Sequence, residues 1–292
     1  MTREGFDKLA QEHRALNIIV KKDGEVTFRA DYDGEIRRNQ YSATKSFTSA
    51  AVGIAAGEGL LSLDERLVDA FADDLPADIS ENLEKATVRD LLTMCLGHDK
   101  GYLMGGDRPF LKETDWVRYC LAQPFDYEPD THFQYNNAGP YLAGVLVQRR
   151  AGCTLDKYLT PRLFQPLGII APTWEIDPVG YSFGAGGLFL CVSELLRFGE
   201  LLLAGGRWNG KQIIPADYVA EATCKQVENG GDGYGYLFWR GAHNSYRADG
   251  KYGQYAIVLP DDNAVLTVNA ESRDQSRLLD FLMENKDFLL GN

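Results

Sequence analysis

Histidine and cysteine are scarce in this sequence, and neither is clustered. The four histidines (His13, His98, His132, His243) show no HxH or HExxH spacing, so no metal site is expected. The five cysteines (Cys95, Cys120, Cys153, Cys191, Cys224) are odd in number and contain no CxxC pair. That pattern suggests neither a disulfide framework nor a zinc site, and reads as free thiols in a reducing cytoplasm. No apolar run approaches the roughly 20 residues that cross a bilayer, and the opening MTREGFDKLAQEHR has no apolar leader segment. Positive charge is also in deficit. Thirty Lys and Arg stand against 42 Asp and Glu, a net charge of −12, which argues against a nucleic-acid partner. Much of the acidity lies between Asp64 and Asp90, where it reads as a solvated face. There is no internal repeat, low-complexity tract or long linker.

What remains is an ordinary globular composition, 45% hydrophobic and 25% charged over 292 residues. Phe6–Arg14 reads as a short helix. Leu16–Val20 and Glu25–Tyr32 read as strands joined at Asp23-Gly24, a tight-hairpin signal. Residues 61–168 look helical and loopy, with a capping-box start at Thr87-x-x-Asp90 and an apolar helix over Tyr141–Arg150. Ser193–Ala204 and a segment beginning near Pro215 are helical. Tyr234–Arg240, Gly253–Leu259 and Ala264–Asn269 read as strands, and Gln275–Leu290 as a closing helix. Strands at both ends with helices between imply one α+β domain over 1–292. A mainly antiparallel sheet with flanking helices is expected from about 1–61 and 171–292, and an all-helical part over about 62–170.

The chemistry concentrates at Ser42-Ala43-Thr44-Lys45. A serine hydroxyl needs a base within hydrogen-bond reach to act as a nucleophile. Residues three apart share a helix face, so the Lys45 amine can turn back to Ser42. The helix that follows, rich in alanine and glycine, looks buried. Burial would lower the lysine pKa and make its neutral, basic form accessible. Tyr135-Asn136-Asn137 precedes the helix at Tyr141. A phenol beside a lysine ammonium is expected to lose its proton more easily, and the Asn137 amide to hold Lys45 or a substrate carbonyl. Tyr246–Tyr255 is punctuated by Gly250 and Gly253, which permit close backbone approach next to a strand. Such a strand edge is suited to supply a backbone N–H to an oxyanion hole, with the Ser42 N–H as the second donor. One rival exists. Gly180-Tyr181-Ser182-Phe183-Gly184 matches the G-x-S-x-G nucleophile elbow, but no buried strand precedes it and no helix start follows it.

The order S-x-x-K, Y-x-N and glycine-bearing strand resembles the serine β-lactamase and penicillin-binding-protein superfamily. The nearer likeness is to its class C-related branch, which includes esterases, D-amino-acid peptidases and 6-aminohexanoate-dimer hydrolases. YSATKSFTSAAVGIAAGEGLLSLDE, TVRDLLTMCLGH, FQYNNAGPYLAGVL, GGLFLCVSELLRFGELLLAGGRWNGKQIIP and GQYAIVLPDDNAVLTVNAES carry it, over about residues 15–285. The resemblance implies a β-lactamase/transpeptidase-like fold and a cofactor-free serine hydrolase working through an acyl-enzyme on a small ester, amide or peptide. It implies Ser42 as nucleophile, Lys45 as base, Tyr135 as proton shuttle and Asn137 as positioning amide. Where the family often has K-T-G or H-x-G, this chain has Ala248-Asp249-Gly250, which makes the Lys251 N–H the second oxyanion donor. Lys251-Tyr252-Gly253 is the alternative register. Ala248 in place of a carboxylate-anchoring cation favours a neutral ester or amide. A β-lactamase, a D-Ala-D-Ala carboxypeptidase or a non-enzymatic acylated sensor is the alternative.

Overall fold

Asp23 and Gly24 both take left-handed backbone, φ +50° and +85°, and close a tight turn between β1 (Ala15–Lys22) and β2 (Glu25–Asp31). That geometry suits the twist of a hairpin, and Asp-Gly tolerates it. The computed structural model describes all residues, 1–292. Four further strands join the hairpin: β3 (Trp239–Arg240), β4 (Tyr246–Gly250), β5 (Gln254–Leu259) and β6 (Ala264–Ala270). The sheet runs β2-β1-β6-β5-β4-β3, antiparallel throughout. The two chain ends therefore meet at its centre, where Ile18 lies opposite Val268 and Val20 opposite Leu266.

The central strands are apolar on both faces because helices cover both. Ile18, Val20, Leu266 and Val268 pack with Phe6 of α1 (Arg3–Glu12) and Leu278, Phe281 and Leu282 of the last long helix. Ile19 and Val265 point the other way, onto Val192 and Leu196. The helices used below are α2 (Thr44–Gly57), α3 (Val88–Thr93), α4 (Ala138–Ala151), α5 (Val192–Leu203), α6 (Ala216–Thr223) and α7 (Gln275–Glu284). The α2 helix is buried from Thr44 to Ala55, as its lack of a polar face requires. Its small residues let neighbours close in. A Cβ on Gly53 would sit 2.3 Å from the Tyr218 ring of α6. Likewise a Cβ on Gly139 of α4 would sit 2.7 Å from the Leu91 carbonyl of α3. The Thr87–Asp90 capping box forms at the start of α3, a feature that contributes about 1 kcal/mol.

One expected strand is mostly absent. Of Tyr234–Arg240 only Trp239–Arg240 is a strand. Tyr234, Tyr236, Leu237 and Phe238 are all buried, so there is no alternation to set a two-sided strand. Leu237 is left-handed at φ +63° and spends its N–H on Leu92 of α3. The β4 strand, one hairpin before Gly253–Leu259, brings Arg247 and Asp249 to the cleft, with Lys251 just past its end.

Candidate active site

Ser42 sits in a single 3₁₀ turn, Tyr41–Ala43, that runs straight into α2. Lys45 is one turn on, 1% exposed, with its Nζ donating to Ser42 Oγ at 2.9 Å and to the Ala185 carbonyl at 2.9 Å. Burial, helped by the Arg108 cation and opposed by the Asp249 carboxylate, brings the Lys45 pKa down to about 7.

Tyr135 lies just ahead of α4, with Lys45 Nζ 5.0 Å from its ring centroid. Its phenol departs from the sequence expectation: burial pushes it well above the usual range, the nearby Ser42 hydroxyl pulls it partway back, and Asp249 pushes it up again. The lysine fails to ease the proton off because the same burial that desolvates the phenolate also favours neutral lysine. Asn137 begins α4. Its Nδ2 donates to the Leu103 carbonyl at 2.8 Å, and its buried Oδ1 has no partner. The amide is thus anchored to the 102–104 loop, and Lys45 directs its bonds to Ser42 and Ala185 rather than to Asn137.

The β4 strand passes directly beside the Ser42 turn. A Cβ on Gly250 would lie 2.2 Å from the Gln40 carbonyl oxygen and 3.2 Å from the Ala43 nitrogen. Gly253 by contrast packs toward Leu278 and Ala270. Lys251 follows Gly250 and lines the cleft. Neither the Ser42 N–H nor the Lys251 N–H is spent on a backbone carbonyl. Ala248 faces the core and is 1% exposed, whereas Arg247 and Asp249 face the cleft and pair at 2.8 Å.

The cleft holds about 820 Å³ and contains Ser42, Tyr135, Asn137, Arg247, Asp249 and Lys251. Across it Arg108 pairs with Glu175 at 3.0 Å and lies over the Phe183 ring. Two ion pairs thus occupy four of the five charged lining side chains, leaving Lys251 without a carboxylate partner. Ser182 is outside the lining. It is fully buried, its Oγ donating to Asp156 and its N–H to Gln148. His243 is also absent from the lining. No group of three or more His, Cys, Asp or Glu side chains is arranged to hold a metal ion.

The beta-lactamase family model matches residues 6–281. The chain belongs to the beta-lactamase family. Among relatives, it is 34% identical to a Dichelobacter nodosus protein assigned to fimbrial assembly (FimD, serogroup D), over 39% of this chain and 29% of that one. It is 29% identical to the D-aminopeptidase of Brucella anthropi, over 55% of this chain and 32% of the relative. The chain thus spans about a third or less of the length of these curated relatives. The octameric penicillin-binding protein homologue of Pyrococcus abyssi superposes with a TM-score of 0.79 at 20% identity, covering 100% of this chain and 78% of that one. The fold is the β-lactamase/transpeptidase-like one expected from the motifs. No helix of this family member is long and apolar enough to cross a membrane.

Arg108, Glu175 and Trp239 were not singled out from the sequence. Arg108 follows Met104-Gly105-Gly106 at the start of a 3₁₀ turn, Arg108–Phe110, and Glu175 follows Trp174 in a loop. Nothing in either local pattern ties one to the other or to Ser42. Only the alternation Arg247-Ala248-Asp249, polar-apolar-polar on a short strand, carried a readable signal that two charges share the cleft face.

Proposed function

We propose that this chain is a serine hydrolase that forms an acyl-enzyme at Ser42 and acts on small esters, amides or peptides. The observation that carries the reading is the contact of Lys45 Nζ with Ser42 Oγ, 2.9 Å apart, on a lysine held near neutrality by burial. Neutral Lys45 takes the Ser42 proton as Oγ attacks the substrate carbonyl. The oxyanion formed is held by the free N–H groups of Ser42 and Lys251. Tyr135, a phenol that keeps its proton, relays one to the leaving amine or alcohol and is recharged from Lys45. Water then attacks the acyl group by the reverse of these transfers. Asn137, anchored by its bond to Leu103, forms part of the cleft wall and serves as the positioning amide.

The unpaired Lys251 supports a substrate carrying a carboxylate or another anionic group, a feature compatible with the peptidase names among the relatives. A fluorophosphonate probe followed by peptide mass spectrometry tests the nucleophile. Label on the Ser42 peptide, lost in Ser42→Ala and kept in Ser182→Ala, is expected. Label on Ser182, or turnover by Ser42→Ala, overturns the reading. A burst of p-nitrophenyl acetate hydrolysis that stops after one equivalent would identify an acylated sensor instead.

A further inference from the structure

Two bulky residues beside the site hold a backbone conformation that bulky residues avoid. Tyr41, immediately before Ser42, has φ +45°, and Tyr252, immediately after Lys251, has φ +69°. An aromatic residue in this region persists only where its surroundings enforce it. Each is braced from outside. The Tyr41 N–H donates to Asn39 Oδ1 at 2.7 Å, and the Tyr252 N–H to Gln275 Oε1 at 3.1 Å. The Tyr252 carbonyl accepts from Ser272 N–H at 2.9 Å. The two rings then meet edge to face, centroids 5.2 Å apart and planes at 78°, an attractive geometry. Tyr41 lines the cleft, but Tyr252 does not.

We propose that the Tyr41–Tyr252 ring contact is a clamp that fixes the spacing of the Ser42 and Lys251 N–H groups, making Tyr252 a positioning residue for the oxyanion site. The left-handed turn at Tyr41 aims the Ser42 N–H, and the one at Tyr252 ends the strand so that the Lys251 N–H stays unspent. The close approach of Gly250 to Gln40 joins the two segments on one side, and the ring contact joins them on the other. With both contacts in place the donors are held before substrate arrives, which is what oxyanion stabilisation requires. This inference rests on the serine-hydrolase reading above.

The test compares Tyr252→Phe, Tyr252→Gly and Tyr252→Asn, since Gly and Asn keep a left-handed backbone while removing the ring. The Gly and Asn variants should lose about 10- to 100-fold in kcat on p-nitrophenyl acetate with KM within about two-fold, because donors misplaced by an ångström forfeit transition-state binding. The inhibition constant of phenylboronic acid, whose serine adduct is tetrahedral, should rise in parallel. Tyr252→Phe should match wild type, since the ring and not the hydroxyl makes the contact. Full kcat in both ring-less variants, an unchanged boronic acid affinity, or equal damage in Tyr252→Phe overturns the clamp. If neither ring-less variant folds, Tyr252→His carries the test with its smaller ring. Matched partial losses in kcat and boronic acid binding then support the clamp, and unmatched ones reject it. A wild-type chain that neither takes the fluorophosphonate at Ser42 nor turns over ester rejects the hydrolase reading itself, whatever the variants do.

Discussion

Lys45 illustrates how one residue can be costly to the fold and useful to the site. Its folded pKa of about 7 lies below the ordinary 10.5. Between those values the unfolded chain binds the extra proton, so this residue's contribution makes stability rise with pH from about 7 to 10.5, and its penalty is full below 7. Lys45→Met should therefore abolish turnover yet raise the melting temperature at pH 7 by on the order of 5 °C, read by calorimetry. In the proposed mechanism only neutral Lys45 can accept the serine proton. The kcat/KM of a neutral ester should climb as pH rises through about 7 and level off above it. A profile flat from pH 5 to 9 would remove Lys45 from the role of base. Lys251 is a second residue-scale test. Lys251→Ala leaves its backbone N–H in place but removes the unpaired cation. Losing one charge-assisted hydrogen bond should raise KM for carboxylate-bearing substrates roughly 10- to 100-fold while a neutral ester is unaffected.

At the scale of elements, the site depends on how closely β4 lies against the turn that begins α2. Gly250 has no room for a methyl group, because its Cβ would meet the Gln40 carbonyl at 2.2 Å, and backbone on both sides must then move. Gly250→Ala is expected to cut kcat about 100-fold or more by shifting both proposed oxyanion donors. Its melting temperature should fall by only a few degrees, since one strand end is displaced and the core is not. Equal activity in Gly250→Ala would mean that β4 does not set the site.

For the whole molecule, acid resistance offers a readout of burial. His98 is fully buried between Tyr102 and Phe125, with neither ring nitrogen hydrogen-bonded, and burial brings its pKa down to about 4. Its folded pKa lies below the ordinary 6.5, so the unfolded chain takes up the proton first as pH falls. This penalty opens below about 6.5 and is full below about 4. His98→Leu should therefore flatten the fall of melting temperature between pH 6.5 and 4, most visibly near pH 4. A variant curve parallel to wild type over that window would show that His98 does not titrate with unfolding.

The amino-acid order alone made local features legible, because they depend on neighbours a few residues apart. Asp23-Gly24 specified its hairpin, Thr87-x-x-Asp90 its cap, and Ser42 and Lys45 their shared helix face. The apolar runs near both termini implied one sheet closed from the two ends. Tertiary packing decided the rest. Tyr234–Phe238 lost its strand because the Tyr236 and Leu237 N–H groups go to Ala222 of α6 and Leu92 of α3 instead of a neighbouring strand. Tyr135 keeps its proton because the residues packed around it desolvate a phenolate, even though the side chain lines the cleft. The Arg108–Glu175 pair joins residues 67 positions apart, and the Tyr41–Tyr252 contact joins residues 211 apart. No short-range spacing encodes such separations. They arise only when helices, sheet and loops bury their apolar faces together, which also leaves Lys251 unpaired beside Ser42.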